Sequence, residues 1–460
     1  MSLLRTIVRG FRGDRHDHTT GDLRESIILL AVPMVMEMMW ESLFAIADSF
    51  WVGHLGPEAQ ATVGITELMM TIVYTLAIGA SMGAAATVAR RIGEKNPDGA
   101  ARAAVQAIGL GAVIAGALGV LGVMFAPQLL GVLGASDSVI RTGTGFTQVM
   151  LGGNASVFLL FLINAVFRGA GDAAIAMRTL IFANALNIVL GPCFIFGLGP
   201  FPEMGVTGAA VATTIGRSCG VVFQLWQLSR ASGHLVVRRR HIRFDPEVMR
   251  SLIRIGATGA FQMAIGMTSW IGLGRIVSSF GTQVMAGYFV GVRVLMFALL
   301  PMWGLCNAAA TLVGQNLGAG RPDRAEDAVW TASRISMVVL IGVGVVFLVL
   351  AEPIARIFSS DAEVVRVGKQ FLRIVALGCP LYAYAMSLTA AFNGAGDTWT
   401  PTLINLFCFW LWEIPLAWIL ARVLGFGPTG VFSALTVAYS TMAVVAVVLF
   451  KRGRWKQKKI

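Results

Sequence analysis

Twelve apolar stretches, each long enough to cross a bilayer, constrain this 460-residue chain more than any other feature. A membrane-spanning helix needs about 20 consecutive, mostly apolar residues, because lipid offers no hydrogen-bond partner to an unpaired backbone. The stretches lie at 25–52, 59–88, 101–127, 143–167, 175–199, 206–229, 251–279, 284–314, 328–351, 369–392, 401–424 and 430–450. Composition agrees, with 56% of residues hydrophobic and 13% charged, against about 25% charged in a soluble domain. The expected fold class is an all-α polytopic membrane protein with 12 transmembrane helices.

The net charge of +12 raises the question of nucleic acid, and its placement answers it. Basic residues cluster at Arg5 to Arg24, Arg90 to Arg102, Arg238 to Arg254 and Lys451 to Lys459, each beside an apolar stretch. That is the positive-inside pattern of a membrane protein, not a nucleic-acid surface. The loops at 90–102, 230–250 and 315–326 then face the cytoplasm, and those at 53–58, 200–205 and 280–283, without Lys or Arg, face outwards. The hairpin at 352–369 is an exception, with Arg356, Arg366 and Lys369 on the outer side. Expected domains are a cytoplasmic arm (1–24), a six-helix lobe (25–230), a basic linker (231–250), a second six-helix lobe (251–450) and a basic tail (451–460). Both termini are expected on the cytoplasmic side of an inner membrane, and no cleavable signal is read at the start. Five scattered cysteines suggest neither disulfides nor a metal site.

The two lobes repeat. A shift of 225 in numbering aligns FRGAGD (167–172) with FNGAGD (392–397), Gly93…Pro97-Asp98 with Gly318…Pro322-Asp323, Gly56 with Gly281, and Arg141 with Arg366. A shift of 222 aligns VTGAAVAT (206–213) with PTGVFSAL (428–435). Six spans per half insert both halves in one orientation, so their pseudo-twofold axis runs along the membrane normal, a transporter arrangement with the substrate expected between halves. In the FxGAGD element, two glycines permit a tight turn and Asp172 or Asp397 is placed to cap the next helix, with a gating role as the other reading.

Charge inside the spans is the functional signal. Glu37, Glu41 and Asp48 in the first span are spaced i, i+4, i+11, which puts them within roughly 40° of one another on a helix. Each costs about 2.5–3.5 kcal/mol to insert, so that face looks into protein or water. In the second half the stripe becomes Gln262, Gly266 and Leu273, which assigns cation coupling to the first lobe. A buried carboxylate suits proton exchange, and its oxygens are hard ligands for a small cation. Asn184 and Asn187 share a face of the fifth span; either joins Asp48 at an ion or bonds a neighbouring helix. Arg293 and Glu413 in the second lobe are expected to pair, with substrate contact or gating as the alternative. Glu67 is read as interfacial.

The Pro33…Asp48…Gly53…Gly56 pattern, RGAGD, NIVLGP, GAAVAT and LVGQNLGAG occur in an order and spacing that resembles the multidrug and toxic compound extrusion (MATE) family over about residues 25–450. The resemblance implies an antiporter that expels small organic, often cationic compounds against inward Na⁺ or H⁺. It implies a cation site at Asp48, Asn187 and Thr213, with Asp48 and Asn187 as the Na⁺ ligands if sodium is the coupling ion. Glu37, Glu41, Asn184, Gln262, Arg293 and Glu413 are the further candidates for substrate contact or proton coupling. One departure is Gly191, where part of the family has an aspartate. No cofactor beyond the ion is expected, and no obligate protein partner; the bilayer and the substrate are the expected partners. The rival reading is a lipid-linked oligosaccharide or lipid flippase. An enzyme is excluded by the lack of clustered His, HExxH or an Asp-rich metal motif.

Overall fold

A computed structural model describes residues 3–14, 16–230 and 235–460, so the start of the expected linker, 231–234, lies outside the described residues. The described chain is helical throughout. A short helix α1 (Leu3–Arg12) precedes α2 (Leu23–Gly53), α3 (Pro57–Gly93), α4 (Pro97–Val132), α5 (Asp137–Gly152), α6 (Asn154–Ala170), α7 (Ala173–Phe196) and α8 (Val206–Ser229). A second series follows: α9 (Pro246–Ser278), α10 (Thr282–Gly318), α11 (Pro322–Phe358), α12 (Ala362–Gly394), α13 (Trp399–Asn405), α14 (Ile414–Trp418) and α15 (Pro428–Lys451). α5 and α6 together make the fourth span. The eleventh is α13, a π-helical stretch Leu406–Glu413, α14 and a second π-helical stretch Ile419–Val423.

Among the described residues, eleven helical spans are apolar and long enough to cross a bilayer by length and composition alone. The twelfth, α9, has the length, but Gln262, Thr258, Thr268 and Ser269 dilute its apolar character. The chain forms two compact units: Met1–Asp17 with Ile28–Ala260, and His18–Ile27 with Phe261–Ile460. Within the second unit the carbonyls of Thr19, Thr20 and Gly21 accept from Arg321 and Arg324 at 2.6–3.0 Å.

The repeat has a physical basis in each unit. In FxGAGD the second glycine makes the turn: Gly171 and Gly396 have φ of +89° and +79°, where a side chain strains the backbone. The first glycine does a different job. A Cβ at Gly169 would meet the backbone of Ala85, and one at Gly394 the backbone of Ala310, the same pair of positions carried into the second half. Small residues there let helices approach backbone to backbone, the main route to tight packing in lipid. The capping expectation fails: Asp172 stands at the N-cap of α7 without a side-chain bond to its amides. Asp397 instead accepts from the Thr400 hydroxyl at 2.7 Å and pairs with Lys458 at 3.2 Å. Caps repeat elsewhere, since Ser136 caps α5 and its repeat mate Asp361 caps α12. The Val364 and Glu363 amides hold the Asp361 carboxyl below its usual range.

The basic hairpin at 352–369 is explained by local pairing. Arg356 and Lys369 both bond Glu352, at 2.8 and 2.7 Å, and Arg366 bonds Glu363 at 2.5 Å. Its positive charges are therefore compensated and exert little topological bias.

Gly169→Val and Gly394→Val should each destabilise the protein by about 1–3 kcal/mol, because the neighbouring backbone cannot yield as a side chain does. Thermal midpoints of the detergent-purified protein check this, with Gly109→Ala, whose Cβ meets nothing within 4 Å, expected to match the parent.

Candidate functional site

The acidic face of α2 is held by partners from three other helices of the first unit. Glu37 is 1% exposed. Its Oε1 accepts from Arg168 Nη1 at 2.6 Å and from Asn164 Nδ2 at 3.0 Å, both on α6. Gln224 of α8 donates in turn to Asn164 Oδ1 at 2.6 Å and to the Leu160 carbonyl at 3.2 Å. One turn further, Glu41 accepts from Arg217 Nη2 of α8 at 3.0 Å and from Asn184 Nδ2 of α7 at 3.2 Å. Arg217 is buried, its guanidinium carbon 5.3 Å from the Phe44 ring centre and 5.8 Å from that of Phe161.

Beyond Glu41 the balance of charge changes. Glu41 and Glu67 of α3, Asp48 through both Glu67 and Arg217, and the Tyr74 hydroxyl all interact electrostatically around the Arg217 guanidinium. Among the described residues, three carboxylates thus share that positive charge. Among the same residues Asp48 makes no side-chain hydrogen bond. Asn187 Nδ2 donates to Thr213 Oγ1 at 2.9 Å, leaving the amide oxygen as the atom able to take a cation. The Asn184–Glu41 bond lies below this level, and above it Trp51 stands 3.7 Å from where a Cβ at Gly191 would be. These two contacts bracket Asp48 and Asn187 between α2 and α7.

The structure therefore joins Asn187 to Thr213 and Asn184 to Glu41, and forms no bond from Asp48 to Asn187 or Thr213. In the second unit the expected Arg293–Glu413 pair is not formed. Gly291 of α10 abuts Phe371 of α12, and residue 293 lies about 200° further round the helix. Arg293 is accordingly exposed, whereas Glu413 is 1% exposed with its Oε1 unpartnered. Tyr288, Tyr382 and Tyr439, from α10, α12 and α15, are the groups in electrostatic range of Glu413, with Cys408 on its own span. Gln262 is buried on α9 with its Oε1 unpartnered.

Five residues escape sequence reasoning: Asn164, Arg168, Arg217, Gln224 and Tyr74, while Glu67, read as interfacial, is exposed and lies in electrostatic range of Asp48 and Arg217. For Arg168 a signal exists. The repeat mate of Glu37 is Gln262 and that of Arg168 is Asn393, so both members of the ion pair become neutral together at one shift.

That co-variation yields a test. Breaking a buried ion pair by removing one partner costs about 3–5 kcal/mol, while replacing both is nearly neutral. Glu37→Gln and Arg168→Asn should each lower the thermal midpoint sharply, and the double variant, which copies the second half, should recover most of the loss.

The MatE family model matches residues 33–193 and again 257–419, two stretches in nearly the register of the internal repeat. A Thermotoga maritima protein named probable multidrug resistance protein NorM is 26% identical over 95% of this chain and 94% of its own length. A Shewanella oneidensis protein named FAD transporter is 25% identical over 95% of this chain and 97% of its own. A solved structure of MATE in complex with MaL6 superposes with a TM-score of 0.90, covering 96% of this chain and 99% of that one at 24% identity. On the twofold family match, the polytopic helical fold and the fit to solved relatives, this chain belongs to the MatE family of membrane transporters.

Proposed function

We propose that the protein is an antiporter of the inner membrane, with both termini cytoplasmic, that exports small organic, cationic or amphipathic compounds in exchange for inward Na⁺ or H⁺. The observation that carries this reading is the uncompensated charge of the first unit: Glu41, Asp48 and Glu67 around the guanidinium of Arg217. An excess of carboxylates inside a membrane is strongly unfavourable until a cation joins it. Asp48 takes the ion, because it has no hydrogen bond to surrender. Asn187 and Thr213 supply neutral oxygens beside it. Glu37, tied to Arg168, keeps α2 in place and does not itself exchange the ion. Glu413, without a counter-charge in the second unit, is the second group sensitive to the ion.

The export half of the reading draws on the relatives' names, among them probable multidrug resistance protein NorM and the Multidrug export protein MepA of Staphylococcus aureus. Alternating access then follows from exclusion. With the ion on Asp48, α2 repacks at the level of Pro33, an in-helix proline that leaves one carbonyl of the helix ladder free. Substrate affinity falls, the substrate leaves outwards, and release of the ion inwards restores the site.

Reconstituted vesicles loaded with a fluorescent organic cation, with a Na⁺ gradient and a pH gradient imposed separately, test the proposal. One gradient should drive transport, and Asp48→Asn should abolish the driven component while the protein still extracts as a folded species. Normal driven transport by Asp48→Asn would remove Asp48 from the mechanism. Indifference of the parent to both gradients would favour lipid flipping instead.

A further inference from the structure

The N-terminal helix α1 plays no part in the ion site, and its three faces differ in a way that names a partner. On a helical wheel Leu4, Val8 and Phe11 fall within roughly 60° of one another, and Arg5, Arg9 and Arg12 form a second row about 100° round from the first. The apolar row is exposed: Leu4 75%, Val8 44% and Phe11 38%. Thr6 and Gly10, on the remaining side, are buried. Gly10 docks on α2, where a Cβ would lie 3.5 Å from the Leu29 carbonyl oxygen and 3.6 Å from Val32 Cβ. Arg178 of α7 fixes the same C-terminal end, donating to the carbonyls of Phe11 at 3.1 Å and Arg12 at 2.6 Å. Those are terminal carbonyls that the helix cannot satisfy itself, and a cation there also suits the helix dipole.

Depth follows from these contacts. Leu29 and Val32 lie about 9–14 Å along α2 from Leu23, and Arg178 about 8 Å into α7. The polar layer on each side of a bilayer is about 5–8 Å thick. The docked end of α1 is therefore level with the headgroups and the first acyl carbons. An exposed apolar row there meets lipid chains, and the adjacent arginine row meets headgroups. Arg9 bonds Asp14 at 3.3 Å. Arg5 and Arg12 are exposed and form no ion pair among the described residues.

We propose that α1 is an interfacial helix that binds anionic lipid headgroups through Arg5 and Arg12 while Leu4, Val8 and Phe11 enter the acyl layer. Through Gly10 and Arg178 it fastens the cytoplasmic parts of α2 and α7 to that leaflet. The occupant is lipid and not a soluble anion, because the apolar row lies beside the arginines.

The test uses full-length protein with its accessible cysteines replaced and a nitroxide at Val8→Cys, reconstituted in phosphatidylcholine with or without phosphatidylglycerol. The label should be reached by oxygen in preference to a water-soluble relaxant, more so with phosphatidylglycerol. Arg5→Gln/Arg12→Gln should remove the phosphatidylglycerol dependence and reduce phosphatidylglycerol retained on the purified protein roughly tenfold or more, each basic residue near an anionic surface being worth about fivefold. A label open to the aqueous relaxant in both lipids would overturn the proposal, as would spin–spin broadening from a second copy seated on the face. A label at Leu4→Cys repeats the measurement if the Val8 variant does not fold. Lipid retention is read without transport, so its result is independent of whether the protein exchanges an ion.

Discussion

A carboxylate surrounded by hydrocarbon needs a positive charge or a cation close to it, and the first unit is organised by that requirement. Glu37 is met by Arg168, Glu41 by Arg217, and the amides of Asn164, Asn184 and Gln224 take up part of what the guanidiniums leave. Helices α6, α7 and α8 are thereby keyed to α2 at two levels. The specificity is geometric, since a helix rotated by one residue would separate acid from base in a medium that tolerates neither alone. At the level of Asp48 the same requirement is left unmet by the described protein groups. The transition from paired to unpaired acid along one helix separates its structural part from the part free to respond.

The second unit meets the requirement by omission. Gln262 and Asn393 stand where Glu37 and Arg168 stand in the first, and Gly266 and Tyr439 where Glu41 and Arg217 stand, the last at the shift of 222. Acid and base are absent together in both cases. The ends where α4 and α11 begin show the opposite tendency, with one contact kept by different residues. Asp98 of α4 bonds Arg240 at 2.8 Å and His241 at 3.0 Å, from the segment after α8. Its repeat mate Asp323 bonds Lys456 at 3.2 Å, from the segment after α15, where Trp455 is buried and stacked on Phe450. Each unit is latched by the basic stretch that follows its last span.

Most of the fold can be read from the chain because lipid makes the signal one-dimensional: span length, glycine positions and a repeat shift of 225 that closes to 222 in the last span all survive without tertiary information. The acidic stripe is legible for the same reason, being local to one helix. The partners are not. Arg168 sits in a motif that a turn already accounts for, Arg217 in a helix distinguished only by GAAVAT, and Glu67 near a helix end. Their pairing depends on which helices are neighbours, which spacing along one chain does not reveal. Arg293 fails as a partner for the reciprocal reason: both residues stand out in the sequence, but the side of α10 that packs is set by Gly287 and Gly291.

The π-helical winding of the eleventh span bears on how its residues should be compared with those of the fifth. A π turn closes its hydrogen-bond ring over five residues instead of four, so the azimuth of everything beyond it is offset by about one residue, roughly 100°. Glu413 is the last residue of the first such stretch, and the second begins at Ile419. Sequence alignment of the two halves therefore matches positions along the axis but not directions around it. Rewinding a turn to α geometry would swivel one end of the span against the other, a rotation for which the uninterrupted α-helix α7 holds no extra residue.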